Sequence, residues 1–453
     1  MTYQNMGDPS VYKSLWATIQ KNYNIKPEFY GQYNVKRGLR NSDGTGVLVG
    51  LTSIGEVRGY IIDDNERVPT EGRLHYRGID VSELVEACQE SGRFGYDETC
   101  YLLLFGSLPN QQELDDFSGL IGGLRALPDG FVEDMILKAP SGNIMNKLAR
   151  SVLALYSYDE NPDDLSFENI LRQSIELIAR FPSMIAYAYQ AKQHYYEGKS
   201  LFIHTPRADV STAENFLHLI RPDNHYTEEE ARILDLALIL HAEHGGGNNS
   251  AFATHVVSSS GTDTYSAIAA AVGSLKGPKH GGANIKVMKM MEHIMENLND
   301  WEDEDEVAAY LKKILRKEAF DGAGLIYGLG HAVYTVSDPR AILLKKYAKS
   351  LSEKTGHEKE FALYERIERL APNVFDEVKG GKTISANVDF YSGLVYKMMD
   401  IPEELYTPLF AMSRIVGWCA HRIEEVYANG RIIRPAYKSI SPRQRYVPIE
   451  ERK

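Results

Sequence analysis

Four short segments place histidine, aspartate or arginine beside glycine at the expected ends of helices, where polar side chains can face a cleft with the backbone close by. In HAEHGGGNNS (241–250) the glycines at 245–247 stop the apolar helix ARILDLALIL, so His241 and His244 are expected in its last turn, on one face at i and i+3. Two imidazoles there either cap the negative helix end or turn toward a ligand that the glycines admit. In GPKHGGAN (277–284) His280 lies near the start of the next helix. The dipole there keeps an imidazole neutral and able to donate a hydrogen bond to a developing oxyanion; the alternative is a loop histidine between turn glycines. Lys276, Lys279, Lys286 and Lys289 crowd this stretch, as an anion site or as a solvated helix face.

The other two segments offer a cation and a carboxylate. In YGLGHAVYTVSDPRAILL (327–344) Asp338 and Pro339 read as N-cap and first helical residue, which puts Arg340 in the first turn, opposing the helix dipole. A bound carboxylate or phosphate would relieve that conflict. In NVDFYSGLVYKMM (387–399) Asp389 precedes an apolar helix and reads either as its N-cap or as a general base whose proton affinity a cleft would raise. Arg414, in LFAMSRIVGWCAH, and Arg434, in RIIRP, sit among residues that are normally buried. Each needs an anion from protein or ligand, or else snorkels to the surface. Two phosphate-loop lookalikes fail: Gly328 and Gly330 are followed by Val333 instead of a third glycine, and GGKT (380–383) has Asp376 where its leading glycine belongs.

The elements that must carry these groups are mostly helices. Residues 47–78 hold most of the β-type signal and read as one or two small hairpins. Nearly everything after Asp80 has the 3.6-residue period, from VSELVEACQ, opened by Asp80, to a long segment running from Pro408 to Asn429-Gly430. The fold class is mainly α, without repeats or a flexible linker, so any two domains share an interface. The acidic run WEDEDE (301–306) reads as a solvated helix start. With 453 residues, 43% hydrophobic and 25% charged, the chain is long enough for a large core. Fifty Lys and Arg against 62 Asp and Glu leave a charge of −12, the wrong sign for a nucleic-acid partner. Cys88, Cys100 and Cys419 form no C-x-x-C pair, which argues against disulfides and a cysteine zinc site and fits a reducing cytoplasm. MTYQNMGDPS has no secretory pattern and no apolar run approaches a membrane span, so a cytoplasmic protein away from membranes is expected.

Taken together, two or three neutral histidines, one carboxylate and three arginines describe a site that removes a carbon-bound proton and holds a polycarboxylate. The sequence resembles the citrate synthase family through HAEHGGGNNS, GPKHGGAN, GLGHAVY with SDPR, NVDFYSG, SRIVGW and RIIRP, in order over roughly residues 50 to 437. The resemblance implies a helical homodimer with a large domain (1–284 and 395–453) and a small domain (285–394) that closes over the site. It implies condensation of acetyl-CoA with oxaloacetate and hydrolysis of the citryl thioester, with no metal and no cofactor beyond the acetyl-CoA substrate. Asp389 would take the methyl proton, His280 would donate to the thioester oxygen, and His331 would polarise the oxaloacetate carbonyl. His244, Arg340 and Arg414 would bind oxaloacetate, with Arg434 donated across the dimer interface. The family pattern departs at Ala332 and Thr335, where many bacterial members carry basic residues, and at Glu243 and Gly245, where Asp and Glu are usual. Coenzyme A contacts then fall to Lys276, Lys279 and Lys382, with Gly328 and Gly330. No cysteine-bearing regulatory module stands in the first 50 residues, so a simple dimer is expected. A 2-methylcitrate synthase acting on propionyl-CoA would share the constellation. A metal hydrolase would not, because H-A-E-H lacks the H-E-x-x-H spacing.

Overall fold

The β-type segment folds as one antiparallel hairpin, β1 (Gly55–Asp63) against β2 (Glu66–Tyr76), with the short β3 (Ile79–Asp80) paired to the end of β2. Two glycines bring this hairpin onto the loop that carries S-D-P-R. A Cβ at Gly59 would lie 2.6 Å from the Val333 carbonyl oxygen, and one at Gly72 2.7 Å from the Tyr334 ring. The Gly72 N–H also donates to Ser337 Oγ at 3.1 Å. The computed structural model describes residues 9–22, 25–63, 66–330, 333–380, 384–428 and 430–452, and outside the sheet these residues are mostly helix and connecting loop.

The described chain clusters into two units. One comprises residues 1–51 and 434–453 and contains α1 (Pro9–Asn22), on which Tyr12, Leu15, Trp16 and Ile19 are exposed. The other, Thr52–Ile433, holds the sheet and the core. Its helices used below are α2 (Val81–Glu90), α3 (Tyr96–Phe105), α4 (Phe167–Glu197), α5 (Glu228–His241), α6 (Asn249–Ser258) and α7 (Thr264–Leu275). They continue with α8 (Ala283–Asn297), α9 (Pro339–Thr355), α10 (Glu358–Lys379), α11 (Val388–Met398) and α12 (Tyr406–Tyr427).

Among the helices enclosed by others, α12 and α11 carry site residues. α12 is packed by α3, α4, α5, α6 and α7, and its run from Ala411 to Arg422 is buried without interruption. An apolar helix with no solvated face belongs at the centre of a bundle. α11 is packed by α8 and α9 and buries Val388, Phe390, Tyr391, Leu394 and Val395. Caps follow the residues read from sequence at two places. Asp80 accepts from the Ser82 N–H at the start of α2, and Asp338 accepts from the Arg340 N–H at the start of α9. Cys88, Cys100 and Cys419 are buried free thiols. Among the described residues no helix is long and apolar enough to cross a membrane.

Candidate active site

The helix α5 ends at His241, not at His244 as the glycine run suggested. His241 Nδ1 meets the Ala237 carbonyl at 2.8 Å, the helix-capping use of that imidazole, and burial lowers its pKa to about 3. The chain leaves the helix after Ala242 because Glu243 accepts the Gly245 N–H and Gly245 takes a left-handed φ of 80°. His244 therefore projects from the loop rather than the helix face; it is buried and meets Tyr334 edge-on at 5.6 Å.

His280 sits on the turn between α7 and α8, half-buried, and burial together with the Arg414 charge lowers its pKa to about 4. It is neutral at physiological pH through burial and the Arg414 charge, whereas its place in the sequence pointed to the helix dipole. Its Nε2 lies 3.0 Å from Ser250 Oγ, which also accepts from the Trp418 indole N–H at 3.1 Å. The Ser250 hydroxyl proton has two acceptors in reach, His280 Nε2 and Asn248 Oδ1 at 2.9 Å. When it is given to His280, the imidazole proton stands on Nδ1, which becomes a donor.

Asp338 and Arg340 form a fork. Nε and Nη2 of Arg340 donate to the two oxygens of Asp338 at 3.0 and 2.8 Å, and both side chains are almost wholly buried. Burial opposes the Arg340 charge, but Asp338 outweighs it and raises the guanidinium pKa. This corrects one sequence expectation: the cation in the first turn is relieved by its own N-cap carboxylate, not by a ligand alone. Asp338 Oδ2 also accepts the Val388 N–H at 3.3 Å, which ties this fork to the start of α11.

Asp389 is not a cap. Asn387 caps α11, accepting the Asp389 N–H at 3.0 Å, which leaves the half-buried Asp389 carboxyl available in the first turn. Burial lifts its pKa to about 6, against the pull of Arg340 and Arg414. Asn387 also donates to the Gly330 carbonyl at 3.0 Å, while Gly330 N–H donates to Ser385 O and Asn387 N–H to Gly328 O. Gly328 has φ of 78°, and a Cβ there would lie 2.8 Å from Phe390 and from Val287. The two glycines thus serve the backbone ladder that holds α11 to the 328–330 loop.

Arg414 is fully buried in α12. Its Nε donates to the His241 carbonyl at 2.6 Å, its plane lies over Phe410 at 4.8 Å, and among the described residues Nη1 and Nη2 have no partner. Burial lowers its pKa to about 10, still a cation. Arg414 lies within Coulombic reach of His280, Asp389 and Arg340, so these four form one cluster, with His244 reaching it through Tyr334, over which Arg340 also sits at 5.8 Å.

Lys276 and Lys279 are exposed on the His280 turn. A cavity of about 340 Å³ beside it is lined by Lys276, Lys286 and Lys289, with Asn143 and Thr407 among the rest. His331, Ala332 and Lys382 lie outside the described residues. Arg434 belongs to the other unit, where it is exposed. Among the described residues no three His, Cys, Asp or Glu side chains converge as a metal site. Sequence reasoning missed Ser250 and Trp418, whose contact spans 168 positions, and the pairing of Asp338 with Arg340, for which the i, i+2 spacing across Pro339 was the available signal.

Residues 42–436 match the family described as citrate synthase, C-terminal domain. A citrate synthase of Synechocystis is 37% identical over 84% of this chain and 89% of its own length. A 2-methylcitrate synthase of Corynebacterium glutamicum is 32% identical over 92% of this chain and 98% of its own. Among solved structures, a ternary complex of carboxymethyl coenzyme A and oxaloacetate with citrate synthase from Thermoplasma acidophilum superposes with a TM-score of 0.75. It is 28% identical, covering 92% of this chain and 99% of that one.

Proposed function

Since this chain belongs to the citrate synthase family, and so is an acyltransferase, we propose that it condenses acetyl-CoA with oxaloacetate and hydrolyses the citryl thioester to citrate and coenzyme A. The observation that carries this reading is Arg414, a buried cation whose two terminal nitrogens have no partner among the described residues, within Coulombic reach of a carboxyl near 6 and a neutral imidazole. A buried guanidinium left half-bonded calls for an anion, and a substrate carboxylate supplies two acceptors in the right plane. Asp389, ionised above pH 6, takes the proton from the acetyl methyl, while His280 donates from Nδ1 to the thioester oxygen as the enol forms. His331 polarises the oxaloacetate carbonyl, and His244 and Arg340 complete the dicarboxylate site. Closure of a small domain at 285–394 shields the enol from water. Lys276, with Lys279 and Lys382, neutralises coenzyme A phosphates; the lysine-lined cavity beside the His280 turn favours that side of the site.

Relatives named 2-methylcitrate synthase, at 32% identity, favour propionyl-CoA as the second reading. One assay decides between them: purified protein with oxaloacetate and either acyl-CoA, released thiol being measured with and without EDTA. The expected result is a higher kcat/KM for acetyl-CoA, unchanged by EDTA. A preference for propionyl-CoA would reverse the assignment, and no thiol release from either would remove it.

A further inference from the structure

Behind Arg414 a line of four ionisable side chains runs inward from the surface. Glu425 Oε2 lies 2.7 Å from His255 Nδ1, His255 Nε2 lies 3.1 Å from His421 Nδ1, and His421 Nε2 lies 3.0 Å from Glu243 Oε1. The side chains of Glu243 and His421 are fully buried, while those of His255 and Glu425 keep 13% and 16% exposure. Glycines make the room. A Cβ at Gly246 would lie 3.2 Å from His255 Nε2, one at Gly55 2.8 Å from Glu243 Cγ, and one at Gly417 2.5 Å from Glu243 Oε2.

Each of the three contacts needs one hydrogen. Two ionised carboxylates bring none and two neutral imidazoles bring two, so the chain with every bond made holds one further proton and a net charge of −1. Without that proton, either two nitrogen lone pairs face each other or one of the two carboxylates, Glu243 or Glu425, faces one. With another, both imidazoles become donors at their shared contact. A single protonation state closes all three bonds, so the four groups share that one proton. Glu243 is the inner end. Burial would raise its carboxyl pKa, yet His421 and Arg414 hold it below the ordinary value.

We propose that Glu425, His255, His421 and Glu243 form a shared-proton positioning device that keeps Glu243 ionised and oriented beside Arg414, and so sets how strongly Arg414 holds a substrate carboxylate. This rests on the proposed function for the role of Arg414. Glu243 Oε1 takes the His421 and Gly245 N–H groups instead of the Arg414 guanidinium, so it balances the arginine charge and leaves its terminal nitrogens for the substrate. The other ionisable groups facing the chain are Tyr76 and Arg77 from the sheet side, and Arg414 and Glu424 from α12. Glu424 Oε2 stands 3.9 Å from His421 Nδ1, and its Oε1 accepts from Ser53. As pH rises and the extra proton leaves, the charge behind Arg414 goes from −1 to −2. A dicarboxylate then binds more weakly, so KM for oxaloacetate rises while kcat stays.

The test combines kinetics with histidine NMR on the full-length protein. In the ¹⁵N-histidine spectrum, read without substrate, His255 and His421 should titrate as one coupled pair. His255→Gln cannot hold the extra proton. Below the pH at which wild type loses that proton, it should raise the oxaloacetate KM on the order of 3- to 10-fold, flatten the pH dependence of KM and leave kcat unchanged. Glu425→Gln, nearer the surface, should act in the same direction and serves if the first variant does not fold. Independent titration of the two imidazoles, or a KM against pH curve in either folded variant that superimposes on wild type, would overturn the device. Because the titration needs no substrate, failure of the proposed reaction is distinguished from failure of the chain.

Discussion

Asp389 decides whether this site can abstract a proton, and its surroundings set the pH at which it does. Its pKa is raised from 3.8 to about 6 chiefly by burial, so two consequences have opposite signs. The stability tied to this group is complete below pH 3.8 and is lost as pH climbs through 6, because the folded state holds the proton more tightly than the unfolded chain. Activity runs the other way, since only the carboxylate is a base: turnover at saturating oxaloacetate should rise through pH 6 and then level, with His280 neutral throughout at a pKa of about 4. Asp389→Asn should lower turnover by roughly 100-fold or more, abolish that rise, and leave the melting temperature at pH 8 equal or higher. Steady-state rates from pH 5 to pH 9 check all three, and a variant with wild-type turnover would remove Asp389 from the mechanism. At this scale the sequence was informative because Arg340 and Asp389 stand in the first turns of their helices. Asp389 as base or cap was a real ambiguity, and it turned on a neighbour two residues away, Asn387, whose amide takes the capping position.

Among the elements, the start of α11 is where several ties of the site meet. Asn387 caps it and reaches the Gly330 carbonyl, Asp338 caps α9 and reaches the Val388 N–H, and Gly328 allows Phe390 to pack against the loop. Asn387→Ala removes both the cap and the tie to Gly330. Unfolding in urea should show a loss of about 1–2 kcal/mol with unchanged m. Turnover should fall as well, because Asp389 is aimed by the same first turn; a stability loss with full activity would mean that α11 keeps its pose without the cap. Periodicity and caps made most helices and the hairpin legible, including the starts of α2 and α9. The end of α5 was not. The glycine run marked a stop near 245, whereas the helix stops at His241, with Glu243 taking the Gly245 N–H and also turning inward to His421, 178 positions away. Nothing local encodes that partner.

For the molecule as a whole, the open question is whether one chain makes a complete site. Arg414, Arg340, His280, His244 and Asp389 all belong to the unit Thr52–Ile433, while Arg434 belongs to the unit that also contains α1. We propose, following the family resemblance, that Arg434 serves the site of a partner subunit, and subunit exchange tests it directly. An inactive Arg434→Ala variant is mixed with an inactive Asp389→Ala variant, and exchange is confirmed by native mass spectrometry. If the arginine crosses between subunits, each heterodimer has one site with both defects and one with neither, so activity returns to at most about half of wild type per heterodimer. If Arg434 serves its own chain, every site in the heterodimer carries one defect and the mixture stays inactive. Restored activity therefore makes association a condition of catalysis, whereas an inactive mixture with verified exchange assigns Arg434 to its own subunit and removes the reason for the dimer to be obligatory.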